Sequence, residues 1–272
     1  MLQKLAVKLR GVWIPLALLI TWELCSRSGM VSAIALPAPS AVAAKWLQYL
    51  QPTSAYDPAQ GSYLRWLVSG EMPHDAASSF SRVLMGFAIA VGLALPLGLI
   101  MGASRRAYDL CNPLVQFLRP IPPSAYIPLA ILWFGLGNPP AVFLIVIAAF
   151  FPVLMNTMAG VRQVDGIYLR AARNLGAGQA TIFWRIMLPA ATPYILTGMR
   201  IGIASAFILV IISELIAVND GLGYRLMEAR EFMWSDKVMA GMLTIGLFGL
   251  GIDSLMSRLN NYLLRWHRGL EN

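Results

Sequence analysis

The chain has 272 residues, of which 58% are hydrophobic and only 12% charged, with a formal net charge of +8. A soluble domain carries about 25% charged residues because its surface meets water on every side, so this composition excludes an ordinary soluble fold and points to a bilayer as solvent. The basic excess lies in short segments between apolar runs, not in one aromatic-rich patch, which excludes a nucleic-acid-binding face.

Residues 1–10 are a basic N-terminal segment and 11–26 a first apolar run. Lys4, Lys8 and Arg10 before Val12–Trp22, with Ala33-Ile34-Ala35 further on, have some of the parts of a secretory signal. Glu23 and Arg27 intervene, however, and the small-residue site lies far beyond the apolar run, so the segment reads as an uncleaved first span. Residues 27–81 form an outer loop. In it Ala41–Leu50 has the pattern of a short amphipathic helix, with Trp46 and Tyr49 suited to the membrane interface, and the polar stretch 51–73 reads as surface loop.

Residues 82–263 hold the remaining spans, Arg82–Gly102, Ile121–Leu136, Pro139–Gly160, Pro193–Val218 and Val238–Leu263, and 264–272 a tail. With Gly11–Ser26 these make about six transmembrane helices, each near the roughly 20 residues that cross a hydrocarbon core of about 30 Å. The expected class is an all-α membrane protein. The span Ile121–Leu136 is short and holds Pro122, Pro123 and Pro128, so it is expected to be tilted or partly irregular. Irregular backbone at membrane depth needs cover by protein or a water-filled cavity. Pro122 and Pro123 are therefore candidates for a translocation path, beside the plainer reading of a packed, kinked helix. Cys25 and Cys111 show neither a disulfide framework nor a metal-ligand spacing.

With both termini inside, thirteen lysines and arginines fall in inner segments, Arg119 among them, and seven in outer ones, Arg82 among them. Basic residues near span ends are retained on the cytoplasmic side, which sets this orientation.

The inner segment 161–190 is long for a connection. Asp165 is placed to cap a helix over Gly166–Leu175, and Gly176 to end it. A second short helix, Gly178–Met187, is expected to stop before Pro189. Such a helix–turn–helix, with apolar Ile167, Leu175 and Ile186 among cationic Arg170, Arg173 and Arg185, suits insertion into a partner's groove.

This segment resembles the cytoplasmic loop shared by permeases of ABC importers, written E-A-A, three residues, G, nine residues, I-x-L-P. The chain has Arg170-Ala171-Ala172, three residues, Gly176, nine residues, then Ile186-Met187-Leu188-Pro189. Every spacing matches, and arginine replaces the leading glutamate. Leu36-Pro37-Ala38-Pro39-Ser40, Arg119-Pro120-Ile121-Pro122-Pro123, Trp133-Phe134-Gly135-Leu136-Gly137 and Gly221-Leu222-Gly223-Tyr224 extend the likeness over about Leu36–Leu263. The branch it resembles is the nitrate/sulfonate/taurine permease family, and Arg170 with Trp266-His267 looks most like taurine and alkanesulfonate members. The stretch 51–73 is longer than is usual there.

The resemblance implies a type I ABC importer permease fold with a cytoplasmic coupling helix, in a bacterial inner membrane. It implies a homodimer with a second permease copy, two ATP-binding subunits, and a periplasmic or lipid-anchored solute-binding protein. Arg170, Ala171, Ala172, Gly176, Ile186, Leu188 and Pro189 would be the ATPase-coupling residues: the small side chains permit close docking and the glycine supplies the turn. Arg170 either pairs with an acid on the ATPase or is a solvated charge. The sequence has no G-x-x-x-x-G-K-[ST] phosphate loop. No cofactor is expected in this chain, with ATP and magnesium on the partner ATPase, and the chain is expected to be a non-catalytic permease. The implied cargo is a small anion, taurine or an aliphatic sulfonate first, with nitrate, bicarbonate, cyanate or a vitamin precursor as alternatives. A channel without ATPase coupling is the rival from another class, and it would need no coupling loop.

Arg200 and Glu214 lie within the span Pro193–Val218 and are candidates for the path or its gate, because ionic groups there are costly to bury. Arg200 also fits a structural pair or a snorkelling side chain. Glu214 would repel a sulfonate, which favours a gate, a pair or a dimer contact. Asp253 and Arg258 are a candidate pair within the last span, and His74 reads as a solvated flank.

Overall fold

The computed structural model describes residues 2–32, 34–52, 63, 66 and 69–264, with side chains from Trp13 onward. In chain order its helices are α1 (Leu2–Arg27), α2 (Pro39–Leu50), α3 (Glu71–Ala103), α4 (Arg105–Leu118), a 3-10 turn (Pro123–Tyr126) and α5 (Ile127–Phe134). There follow α6 (Asn138–Arg162), α7 (Gly166–Asn174), α8 (Gln179–Ile182), a π-helical stretch (Phe183–Met187), α9 (Leu188–Ala217), α10 (Leu222–Glu231) and α11 (Ser235–Leu263). Among the described residues four helices are long and apolar enough to cross a membrane: Glu71–Ala103, Asn138–Arg162, the continuous run Gln179–Ala217, and Ser235–Leu263. The proline-rich segment is irregular, as its composition leads one to expect. Its 3-10 turn and eight-residue α5 span about 20 Å together and do not cross alone.

The chain divides into two compact units, residues 1–77 with 220–246 and residues 78–219 with 247–272. In the first, the end of α1 holds the start of α2: Trp22 Nε1 donates to the Pro37 carbonyl at 3.1 Å, and Glu23 accepts from the Ser40 backbone N–H at 3.0 Å. Trp46 donates from Nε1 to Thr244 Oγ1 at 2.9 Å. An indole N–H facing away from water needs such an acceptor. Arg225 binds Asp75 at 2.6 Å and Glu228 at 2.9 Å, while Lys237 binds Glu71 at 2.9 Å and lies 4.7 Å from the Tyr49 ring centre. Burial, then the Glu71, Asp236 and Glu228 carboxylates, push the Tyr49 phenol up to about 12, so it stays neutral at physiological pH. His74 is exposed, as expected, 3.7 Å from Asp75.

In the second unit α6 is the central element. Leu144, Ile145, Ala149, Val153 and Leu154 are fully buried along it. Ile127 and Ala130 of α5 pack with Leu144, Ala148 and Leu209. α9 packs along α6 through Gly198 and Gly202, a G-x-x-x-G pair. A Cβ at Gly198 would stand 2.7 Å from Asn156 Cβ, and one at Gly202 3.0 Å from Val153 Cγ2. Where lipid tails are as apolar as the side chains, close backbone approach through small residues is what holds two helices together.

Candidate functional site

The segment between α6 and α9 is built by local hydrogen bonds. Asp165 Oδ1 accepts the Ile167 N–H at 2.8 Å and so caps α7, as its position in the sequence leads one to expect. Gly176 ends the turn at φ +82°, with its N–H on the Arg173 carbonyl at 2.9 Å and the Ala177 N–H on the Ala172 carbonyl at 3.0 Å. Space around Gly176 is open, so backbone conformation alone requires glycine there.

The expected stop before Pro189 does not occur. The helix runs on from Gln179 through Ala217. A proline ring clashes with the carbonyl four residues back, here Arg185, unless the turn is widened. The π-helical stretch Phe183–Met187 supplies that wider turn, and Pro189 sits in the first turn of α9.

Ala172 is buried, whereas Arg170, Ala171 and Gly176 are exposed. Ile167, Tyr168, Leu175 and Trp184 are exposed as well, Leu175 by 88%. The guanidinium of Arg170 folds back beside Gly166 and makes no ion pair among the described residues. Leu188 packs against Val161, Ala191 and Ile195, so the half-buried end of the motif, with Ile186 and Pro189, anchors the segment at the foot of α6 and α9. An exposed turn is thus attached through one unbroken helix to a membrane span.

Arg200 and Glu214 of α9 are both paired. Arg200 does not stand alone: its Nε and Nη2 donate to Asp253 Oδ1 and Oδ2, both at 2.8 Å. Asp253 therefore belongs to Arg200, not to Arg258. The pair borders a cavity of about 220 Å³ between α9 and α11. Glu214 is fully buried and accepts from Arg82 Nη1 at 2.6 Å and from Ser79 Oγ at 2.8 Å. Arg82 Nε donates to Asn138 Oδ1 at 2.6 Å, which completes a clamp joining α3, α9 and the start of α6.

A larger cavity, about 550 Å³, lies among α6, α9 and the proline-rich segment. Pro123 lines it and Pro122 immediately precedes the turn that does. Arg119, counted in the sequence among inner surface residues, reaches it too, beside Asn156 of α6 and Ser205 of α9. Arg119 is the exposed residue that caps the C-terminal end of α4.

Residues 94–269 match the family described as binding-protein-dependent transport system inner membrane component, and the chain belongs to it. A probable ABC transporter permease of Brucella melitensis is 43% identical over 200 residues, 74% of this chain and 81% of the relative. The taurine transport system permease TauC of Escherichia coli is 34% identical over 93% of this chain and 88% of its own length. The bicarbonate transport system permease CmpB of Synechococcus elongatus is 32% identical over 97% and 94%. A chain of the inward-facing MetNI methionine ABC transporter superposes with a TM-score of 0.59 at 14% identity, covering 68% of this chain and 92% of that one. The chain is accordingly a multi-pass inner-membrane permease subunit of an ABC transporter, with a type I permease fold. Permeases of this family are non-catalytic and work with separate ATP-binding subunits and a substrate-binding protein.

Proposed function

We propose that two copies of this chain form the membrane path of an importer for small anionic solutes, taurine or aliphatic sulfonates first. ATP and magnesium act on the partner ATPase, and the segment 161–190 receives its stroke. The observation that carries this reading is the geometry of that segment: an exposed apolar and cationic turn, closed by Gly176 and continuous with a span through Pro189. Arg170, Ala171 and Gly176 contact the ATPase, Ala172 packs beneath them as part of the same coupling surface, and Ile186, Leu188 and Pro189 hold the turn to α9. Both termini are cytoplasmic. The likeness to TauC supports the sulfonate cargo, and the likeness to CmpB supports bicarbonate as the second reading.

The test is reconstitution with the ATPase and binding protein, comparing uptake and stimulated ATP hydrolysis for taurine, longer alkanesulfonates, nitrate and bicarbonate. Stimulation by taurine or alkanesulfonates is expected. Stimulation by bicarbonate or nitrate alone would overturn the sulfonate assignment, and uptake independent of ATP would overturn the ABC-coupled reading.

A further inference from the structure

We infer that the 550 Å³ cavity is an anion-binding station inside the permease, with Arg119 as its cation and a wall shaped for an alkyl tail. The inference rests on the proposed function and narrows it to a site. Its first support is position. The lining residues Phe151, Pro152 and Asn156 come from the middle of the 25-residue α6, and Ile201, Ser205 and Ile208 from the middle of α9. The cavity therefore lies at membrane depth, where a cation is expensive and is retained for a purpose.

Its second support is the state of that cation. Arg82 of α3 is paired with Glu214 and Arg200 of α9 with Asp253. Arg119 makes no ion pair among the described residues, and no carboxylate lines the cavity. An exposed, unpaired positive charge on the wall of a cavity is open to an anion that arrives and leaves.

Its third support is the rest of the lining. The Ser124 hydroxyl has no hydrogen-bond partner among the described residues. One amide N–H of Asn156 is spent on the Pro152 carbonyl at 2.8 Å, which leaves the second N–H and Oδ1 for a ligand. Ser205 donates to the Ile201 carbonyl at 3.0 Å, so its oxygen can still accept. Arg119 and Ser124 can donate to an oxyanion, while Asn156 Oδ1 and Ser205 Oγ can accept from an ammonium such as that of a zwitterionic sulfonate. The remaining wall is apolar, with Phe151, Met155, Ile201 and Ile208. A bare inorganic oxyanion gains nothing from that wall, whereas methylene groups are favoured against it. The lining thus selects an organic anion with a short chain over nitrate or bicarbonate.

The test uses the complete transporter, with its ATPase and binding protein, in proteoliposomes, following uptake of radiolabelled taurine and butanesulfonate beside ATP hydrolysis. Arg119→Gln should lower uptake of both by about ten- to a hundredfold, the loss of one charge-assisted hydrogen bond. ATP hydrolysis stimulated by the loaded binding protein should be kept, and Arg119→Lys should restore much of the uptake. Ile201 lines the cavity and is 47% exposed. Ile201→Trp should narrow the tail space and lower butanesulfonate uptake several-fold more than taurine uptake. Unchanged sulfonate uptake in Arg119→Gln would overturn the site. So would loss of uptake together with hydrolysis in both Arg119 variants, which is the signature of a structural role. A wild-type transporter that moves bicarbonate and no sulfonate would instead overturn the solute assignment, and the alkyl-tail selection with it.

Discussion

Arg82 and Glu214 are both nearly inaccessible and form an ion pair at 2.6 Å. Removing one partner of such a pair leaves a buried ion and typically costs about 3–5 kcal/mol, whereas replacing both with apolar residues is often near neutral. Glu214→Ala should therefore lower the thermal unfolding midpoint in detergent sharply, and the double variant Arg82→Met with Glu214→Leu should recover most of the loss. A Glu214→Ala protein as stable as the wild type would show that the clamp is not structural. The sequence marks Glu214 as a costly group but not its partner, because Arg82 lies 132 residues away and reads as a surface residue at a span end. Asp253 misleads for a related reason. Arg258 is near in sequence, but five residues along a helix turn a side chain to another face, where three or four would not. Arg200, 53 residues away, supplies the fork that fits the carboxylate.

Local chemistry is more legible at the scale of the elements. The cap by Asp165 and the stop at Gly176 depend only on neighbouring residues, so both can be read from the sequence. The passage through Pro189 cannot, since it depends on a π-helical turn that no local propensity announces. Two outcomes separate backbone from packing here. At Gly176 a side chain has free space but a left-handed backbone, which Asn tolerates and β-branched residues do not. Gly176→Asn should retain the ATPase on co-purification, and Gly176→Val should lose it together with solute-stimulated hydrolysis. Equal behaviour of the two variants would mean that the turn conformation is irrelevant to docking. At Gly202 the reverse holds: the backbone is helical, but Val153 stands 3.0 Å from a new Cβ. Gly202→Ile should force α9 off α6 and cost about 1–3 kcal/mol, as overpacking does. The midpoint of denaturant unfolding reads this, with Gly246→Ile, where nothing lies within 4 Å, as the matched control.

Across the whole molecule, the orientation in the membrane is carried by charge. Arg82 and Lys237 are buried, so neither is a surface topology signal. Removing both from the outer side leaves thirteen inner lysines and arginines against five outer, seven less two. The inner excess survives the correction, and basic residues at span ends resist translocation whatever the carboxylates around them do. α7 should therefore face the cytoplasm and α10 the outside. Arg173 on α7 and Arg230 on α10 are both exposed, so each tolerates a cysteine that reports its side. On a background with Cys25→Ser and Cys111→Ser, a membrane-impermeant maleimide should label Arg230→Cys in intact spheroplasts. It should label Arg173→Cys only after lysis, when the permease is expressed without its ATPase. The opposite pattern would invert the molecule, placing the Gly176 turn where no cytoplasmic ATPase could reach it, and the coupling assignment would fall with the orientation.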